Sequence, residues 1–300
     1  MLDPDRPGEI APPLSIEAAA LCELQHELTL GDSISKTAAL LSGLIADGPT
    51  VLTEPLASWD GCERLLMAVG IEVLAGGPMT RVEPSEIPRF DVAVPGDPSL
   101  AAYLLLAGAL VPDSHVGVRA VGVGNSRNGW STVLSERRFA LTATPAADCA
   151  GEPCSDVWLR NRSTAQESTE QRTDLGGELA WRSGWRLPAW AALAAVAPGT
   201  HRISDLTPRF DGYGGIEACI TMLSAFGIDA KSDDGLAIMG GLPQSTTVDC
   251  GGDPHIAMAA TVLALASDGP TTIIGAQCIV DAFPRFVASL RALGASIAIS

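Results

Sequence analysis

The residues with the most chemical capacity stand at turns that open apolar stretches. Gly252-Asp253-Pro254-His255 leads into an apolar run over 256–266, and Gly96-Asp97-Pro98-Ser99 leads into one over 100–110. A histidine beside a carboxylate titrates near neutral pH and can pass a proton, so Asp253 and His255 suit general acid–base chemistry. Aspartate at such a turn can equally cap the helix behind it by accepting from free backbone amides, and that alternative stays open for Asp32, Asp97 and Asp253. His255 has its own alternative, as a residue at a helix N-terminus where the dipole disfavours its protonated form. His26, His115 and His201 have no partner at useful spacing. Gly122-Val123-Gly124 lacks the Gly-Lys ending of a phosphate loop and the three glycines of a dinucleotide fingerprint, so it reads as a turn.

Seven cysteines, at 22, 62, 149, 154, 219, 250 and 278, are odd in number and mostly inside apolar runs. That usage fits buried thiols in a reducing compartment rather than a disulfide framework. Cys149 and Cys154 could be half of a metal site, but no second Cys or His pair follows at zinc spacing, so no metal is expected. No cofactor is expected either.

The elements that must position these residues follow from composition and pattern. At 47% hydrophobic but only 5% aromatic, with 31 glycines, the core must be built from small aliphatic side chains in closely packed α/β layers. A net charge of -16 repels phosphate backbones and anionic lipid, which argues against nucleic acid and membrane partners and leaves a small-molecule substrate. The longest apolar stretch, 100–111, is short of the ~20 residues that span a bilayer, and the N-terminus has no signal pattern, so a cytoplasmic location is expected.

Four segments share one plan of turn, small-residue helix, Gly or Pro break and strand, with helices expected over 36–46, 100–110, 189–196 and 256–266. A second helix and a closing strand complete each unit, giving strand-helix-strand-helix-strand repeats of about 60 to 75 residues. Residues 1–13, rich in proline, read as a leader; 14–85 form a first unit, and 90–300 carry three more. Within the latter, about 146–174 is polar and aperiodic and reads as a linker or decorated loop.

At these repeat starts the sequence resembles the enolpyruvyl transferase family, in its enolpyruvylshikimate-phosphate synthase branch. G-D-S-I-S-K-T-A-A-L-L from Gly31 is similar to the first signature, G-D-K-S-I-S-H-R-A-L-L. V-P-G-D-P-S-L-A-A-Y from Val94 and V-G-V-G-N-S-R-N-G from Val121 look like the fourth unit. G-G-D-P-H-I-A-M-A from Gly251 and C-I-V-D-A-F-P-R-F from Cys278 resemble the last one. The resemblance implies an inside-out α/β barrel fold of repeated βαβαβ units, here four instead of six, with the second and third missing between Val82 and Val92. Residues 14–85 would then be an orphan unit beside a pseudo-three-fold C-terminal domain over 90–300, and a homodimer would hide its exposed faces.

The resemblance also implies a cleft at the repeat starts, where this sequence keeps Ser33, Ser35, Lys36, Asp97, Ser99, Arg127, Arg209, Tyr213 and Asp281 for substrate binding and Asp211, Asp253 and His255 for catalysis. Family cations are missing: Asp32 and Thr37 stand against the first signature's Lys and Arg, Arg209-Phe210-Asp211-Gly212-Tyr213 against R-x-K-E-S, and Asp281 against the Lys of C-x-x-K-S-F-P. Aspartates there would repel a phosphate-bearing anion. The expectation is a protein that has lost phosphoenolpyruvate transfer and catalyses elimination or isomerisation of a small shikimate-like ring. Two alternatives stand beside it: a carboxyvinyl transferase with a rebuilt site, drawing cations from Lys36, Arg182, Arg186 and Arg209, and a non-catalytic binding protein.

Overall fold

The computed structural model describes residues 17, 19–29, 32–55, 58–124, 134, 139–161, 173–176, 187–204 and 215–299. The leader over 1–13 lies outside them. The chain begins with β1 (Leu24–Glu27), α1 (Ser33–Gly43), β2 (Thr50–Thr53), α2 (Gly61–Ala68), β3 (Val73–Gly76) and β4 (Met79–Val82). Their sheet has the order β1-β2-β4-β3; β1 and β2 are parallel and the other pairs antiparallel. One face of α1 buries Ser33, Lys36, Leu40 and Gly43, the three-to-four-residue spacing of a helical stripe. Gly43 is there because a Cβ would sit 2.5 Å from Thr50 Oγ1; helix and strand touch at that point. Leu28, Leu40, Leu52, Leu66 and Val82 centre a small hydrophobic cluster of their own.

The second unit has α3 (Pro98–Leu110) and an antiparallel sheet of order β5-β7-β6, from β5 (His115–Gly122), β6 (Ala140–Pro145) and β7 (Cys154–Arg160). The third runs β8 (Thr173–Leu175), α4 (Leu187–Ala195), β9 (Gly199–Ile203), α5 (Ile216–Ala225), β10 (Asp229–Ser232) and β11 (Leu236–Gly240). Its sheet order, β10-β11-β9-β8, is that of the first unit. The fourth pairs β12 (Thr247–Asp249) in parallel with β13 (Thr272–Ile274) across α6 (Pro254–Ala264), then ends in a 3-10 turn, α7 (Ile279–Ala282) and α8 (Phe286–Ala292).

Helices α3, α4 and α6 each touch the other two and centre the larger core. Their sequences are apolar on every side, which suits a helix with neighbours all round. All nine residues of α4 are buried. Alanines at 189, 191, 192, 194 and 195 let the axes approach closely around Trp190.

The structure departs from the sequence reading in three places. The first and third units close with hairpins, β3–β4 and β10–β11, rather than single strands, because Gly77 and the Asp234-Gly235 pair adopt the positive φ that a tight reversal requires. The supposed linker at 146–174 contains β7, the middle strand of its sheet, whose Ser155, Val157 and Leu159 are buried in period two. The helices at 98, 187 and 254 start two residues earlier than expected; Pro98 and Pro254 occupy their first positions, where a missing N–H costs nothing. The turn around Gly151 packs on α2, where a Cβ on Gly151 would lie 2.7 Å from the Arg64 carbonyl oxygen, and so joins the first unit to the second.

Candidate functional site

The polar residues at the helix starts divide into caps, one internal charge cluster and one cross-unit pair. Asp32 Oδ1 accepts from Ser35 N at 3.0 Å, Asp97 Oδ1 from Ser99 N at 2.7 Å, and Asp253 Oδ1 from both His255 N at 2.8 Å and Ile256 N at 3.1 Å. The Ser99 hydroxyl also donates to Asp97. Capping is thus what the geometry shows for all three aspartates, and Asp253, at 8% exposure, is turned into its own helix. Asp253→Ala should lower stability by about 1 kcal/mol, read as a shift of the urea midpoint at unchanged slope.

His255 is half-buried in the first turn of α6, and its Nδ1 lies 3.2 Å from the Tyr103 hydroxyl on α3. The two rings stack at 6.1 Å with 25° between their planes. Tyr103 is fully buried and meets Phe286 edge-on at 6.4 Å, so the imidazole is held in one orientation from behind. A positioned imidazole with a phenol on one nitrogen can take or release a proton at an anion bound over the helix start. Tyr103 carried no sequence signal beyond being one aromatic in an apolar run, and its partner is 152 residues away.

Lys36, expected to bind substrate, is instead an internal residue. It is 1% exposed, with Nζ 2.6 Å from Glu63 Oε1 and 2.9 Å from Glu54 Oε1. Burial alone would pull its pKa down, but hydrogen bonds to Glu63 and Glu54 and their charges outweigh it and hold the ammonium above the ordinary lysine value. Glu54 Oε2 in turn accepts from Ser58 N at 2.9 Å. Of the other candidates, Ser33 is buried at the start of α1, while Ser35 and, on α7, Asp281 are exposed. Arg127, Arg209, Asp211 and Tyr213 lie outside the described residues, as do Arg182 and Arg186.

Four of the cysteine thiols are made less reactive by burial. It pushes Cys62, Cys154 and Cys278 up to about 11 and Cys219 higher still, where Asp253 adds its charge. Among the described residues no group of His, Cys, Asp and Glu could hold a metal ion, and no helix is long and apolar enough to cross a membrane.

Residues 6–290 match the family model of EPSP synthase (3-phosphoshikimate 1-carboxyvinyltransferase). The 3-phosphoshikimate 1-carboxyvinyltransferase of Synechococcus sp. is 34% identical over 294 residues, covering 96% of this chain and 65% of its own length. That of Geobacillus kaustophilus is 33% identical, covering 96% and 67%. In solved structures, an EPSP synthase from Acinetobacter baumannii superposes with a TM-score of 0.80 at 25% identity, over 94% of this chain and 64% of that one. The enolpyruvyl transferase NikO from Streptomyces tendae shares the fold, with a TM-score of 0.65 at 21% identity over 86% of this chain and 58% of that one. The chain therefore spans about two thirds of the length of the curated relatives it matches.

The expected loss of carboxyvinyl transfer, in favour of elimination or isomerisation, does not stand. The relatives that match nearly the whole chain are named for carboxyvinyl transfer, which favours the transferase alternative. A family model fitted from residue 6 to residue 290, relatives one third identical over the same stretch and the superposed α/β architecture agree: the chain belongs to the EPSP synthase family.

Proposed function

We propose that this chain supplies the last four of the six repeat units of a 3-phosphoshikimate carboxyvinyltransferase, which moves a carboxyvinyl group from phosphoenolpyruvate to phosphoshikimate. One observation carries the reading. The match to the Synechococcus relative covers 96% of this chain yet takes in only 65% of the relative, and the solved structure is covered to 64%. A long internal deletion would have stretched the matched span over most of the relative. The unmatched third therefore lies outside that span, and with the last-unit pattern at 251–286 it precedes it.

On this reading residues 14–85 are the third unit rather than an orphaned first. Comparing Asp32 and Thr37 with the first signature sets them against the wrong repeat, and their lack of positive charge says nothing about a lost cation. The three units over 90–300 form one pseudo-three-fold domain around α3, α4 and α6. Lys36 is not a substrate cation, because Glu54 and Glu63 occupy it; Arg127, Arg182, Arg186 and Arg209 are the cations left to hold the phosphates. His255, oriented by Tyr103, is the group placed to move a proton.

Incubation with phosphoenolpyruvate and 3-phosphoshikimate should release inorganic phosphate and yield the carboxyvinyl ether in equal amounts by mass spectrometry, once the unmatched third is present. A new ring double bond without phosphate release would return the chemistry to elimination. No product from either assay, with all six units present, would leave a binding protein.

A further inference from the structure

Two parallel strands bring Cys250 and Cys278 together. Strands β12 and β13 leave their sheet on the same side, with Asp249 opposite Ile274 at the last register position. Cys250 is the next residue after β12, and Cys278 ends the 3-10 turn Ala276–Cys278 that follows β13. The backbone fixes Cys250 from both sides: its N donates to Ile274 O at 3.1 Å, and its O accepts from Asp253 N at 2.9 Å. The two sulfurs then stand 3.9 Å apart, within reach of a thiol hydrogen bond.

Glycines leave room around them. A Cβ on Gly275 would lie 3.1 Å from Cys250 Sγ, and Gly275, at φ 79°, turns the chain from β13 towards Cys278. Beside Cys250, Gly251 and Gly252 are exposed and have open space where a Cβ would point. Cys250 itself is 4% exposed and Cys278 is half-buried, so a reagent in solution reaches Cys278 first. Cys149 and Cys154, the other neighbouring pair, donate to the backbone carbonyls of Ala147 and Glu152, and a bridge there would only join residues of one turn.

We infer that Cys250 and Cys278 are a dithiol that a low-molecular-weight disulfide oxidises to an intrachain bond, and that this bond ties the turn carrying Asp253 and His255 to the turn in front of α7. The Cys278 thiolate attacks one sulfur of the small disulfide, breaking its S–S bond, forming a mixed disulfide and expelling one small thiolate. The Cys250 thiolate then attacks the Cys278 sulfur, which forms the intrachain bond and expels the second. Two electrons pass from the cysteines to the small disulfide, and the two cysteine protons end on its two thiols. Burial, then the neighbouring Cys250 and the charge of Asp253, hold the Cys278 thiol up at about 11, so the first step is slow and the pair stays reduced until such a disulfide accumulates. Bonding draws the sulfurs from 3.9 Å to about 2.05 Å. Gly251 and Gly252 take up that movement, and the next residue is Asp253, whose carboxylate caps His255 N and Ile256 N. The inference is independent of the transferase reading, since it concerns a bond and a turn rather than turnover.

The test is to incubate the reduced, folded protein with excess oxidised glutathione at mildly alkaline pH. Mass spectrometry should show the loss of two hydrogens and a peptide joining Cys250 to Cys278, reversed by dithiothreitol, with the far-ultraviolet circular dichroism unchanged. The imidazole NMR signal of His255, identified by its absence in His255→Gln, should shift on oxidation in the parent and stay in place in Cys278→Ser. Both cysteines free after the incubation, glutathione held stably on Cys278, or a bridge confined to Cys149 and Cys154 would each overturn the dithiol. A Cys250–Cys278 bridge that leaves the His255 signal where it was, or a signal that still moves in Cys278→Ser, overturns the link to the helix start.

Discussion

Lys36→Met is expected to cost about 3–5 kcal/mol of folding stability, because it leaves Glu54 and Glu63 charged, buried and without their cation. The lysine belongs to the structure of the first unit: it ties α1 to the start of α2 and to the end of β2. Urea unfolding followed by circular dichroism would show a large fall in the midpoint. Replacing the whole cluster, Lys36→Met with Glu54→Gln and Glu63→Leu, should recover most of the loss, since the glutamine oxygen can still accept from Ser58 N and no charge stays buried. A triple variant as unstable as the single one would mean that shape, not charge, is what Lys36 supplies. The pH dependence has a definite sign. The folded pKa is raised above 10.5, so the stabilisation is fully present below 10.5 and is lost as pH rises through the folded value. The parent should therefore lose stability in strong alkali relative to the triple variant.

Trp190→Ala should cost a similar amount, about 3–5 kcal/mol, by opening a cavity where α3, α4 and α6 meet. Trp190 is 1% exposed and is the largest fully buried side chain among the described residues. The alanines around it cannot move inward without dragging whole helices, so little of the cavity would collapse. Ile45→Ala, in the turn just after α1, is the control: it removes an aliphatic side chain that is 76% exposed and should change stability by no more than about 0.5 kcal/mol. Equal losses at the two positions would show that α1 is covered in solution by something the 300 residues already provide.

Much of the architecture was legible before any coordinates. Turns with aspartate and proline opening runs of alanine and leucine mark helix starts wherever they occur, and the caps at Asp97 and Asp253 follow from the same residues. On the proposed reading, the repetition that makes the units visible also hides which unit is which. Every unit must make the same reversal, cap the same helix and bury it against the same kind of sheet, so a motif such as G-D-S-I-S-K-T reports a position within a repeat more strongly than the order of that repeat in the chain. The span of the match to whole relatives, a global property, is what supports the order proposed above.

The sequence by itself determined the α/β class, the presence of the four helices though not their first residues, the apolar character of α3, α4 and α6, and the family, because each depends on residues within a turn or two of one another. Only the tertiary structure decided what the polar residues do. Lys36 reads as an exposed cation until Glu54 and Glu63, 18 and 27 residues on, are folded against it. His255 acquires an orientation only when Tyr103 arrives from another unit. Local pattern sets which groups a segment offers; burial and partnership are set by contacts between segments far apart in the chain, and those contacts decide whether a charge serves the fold or the substrate.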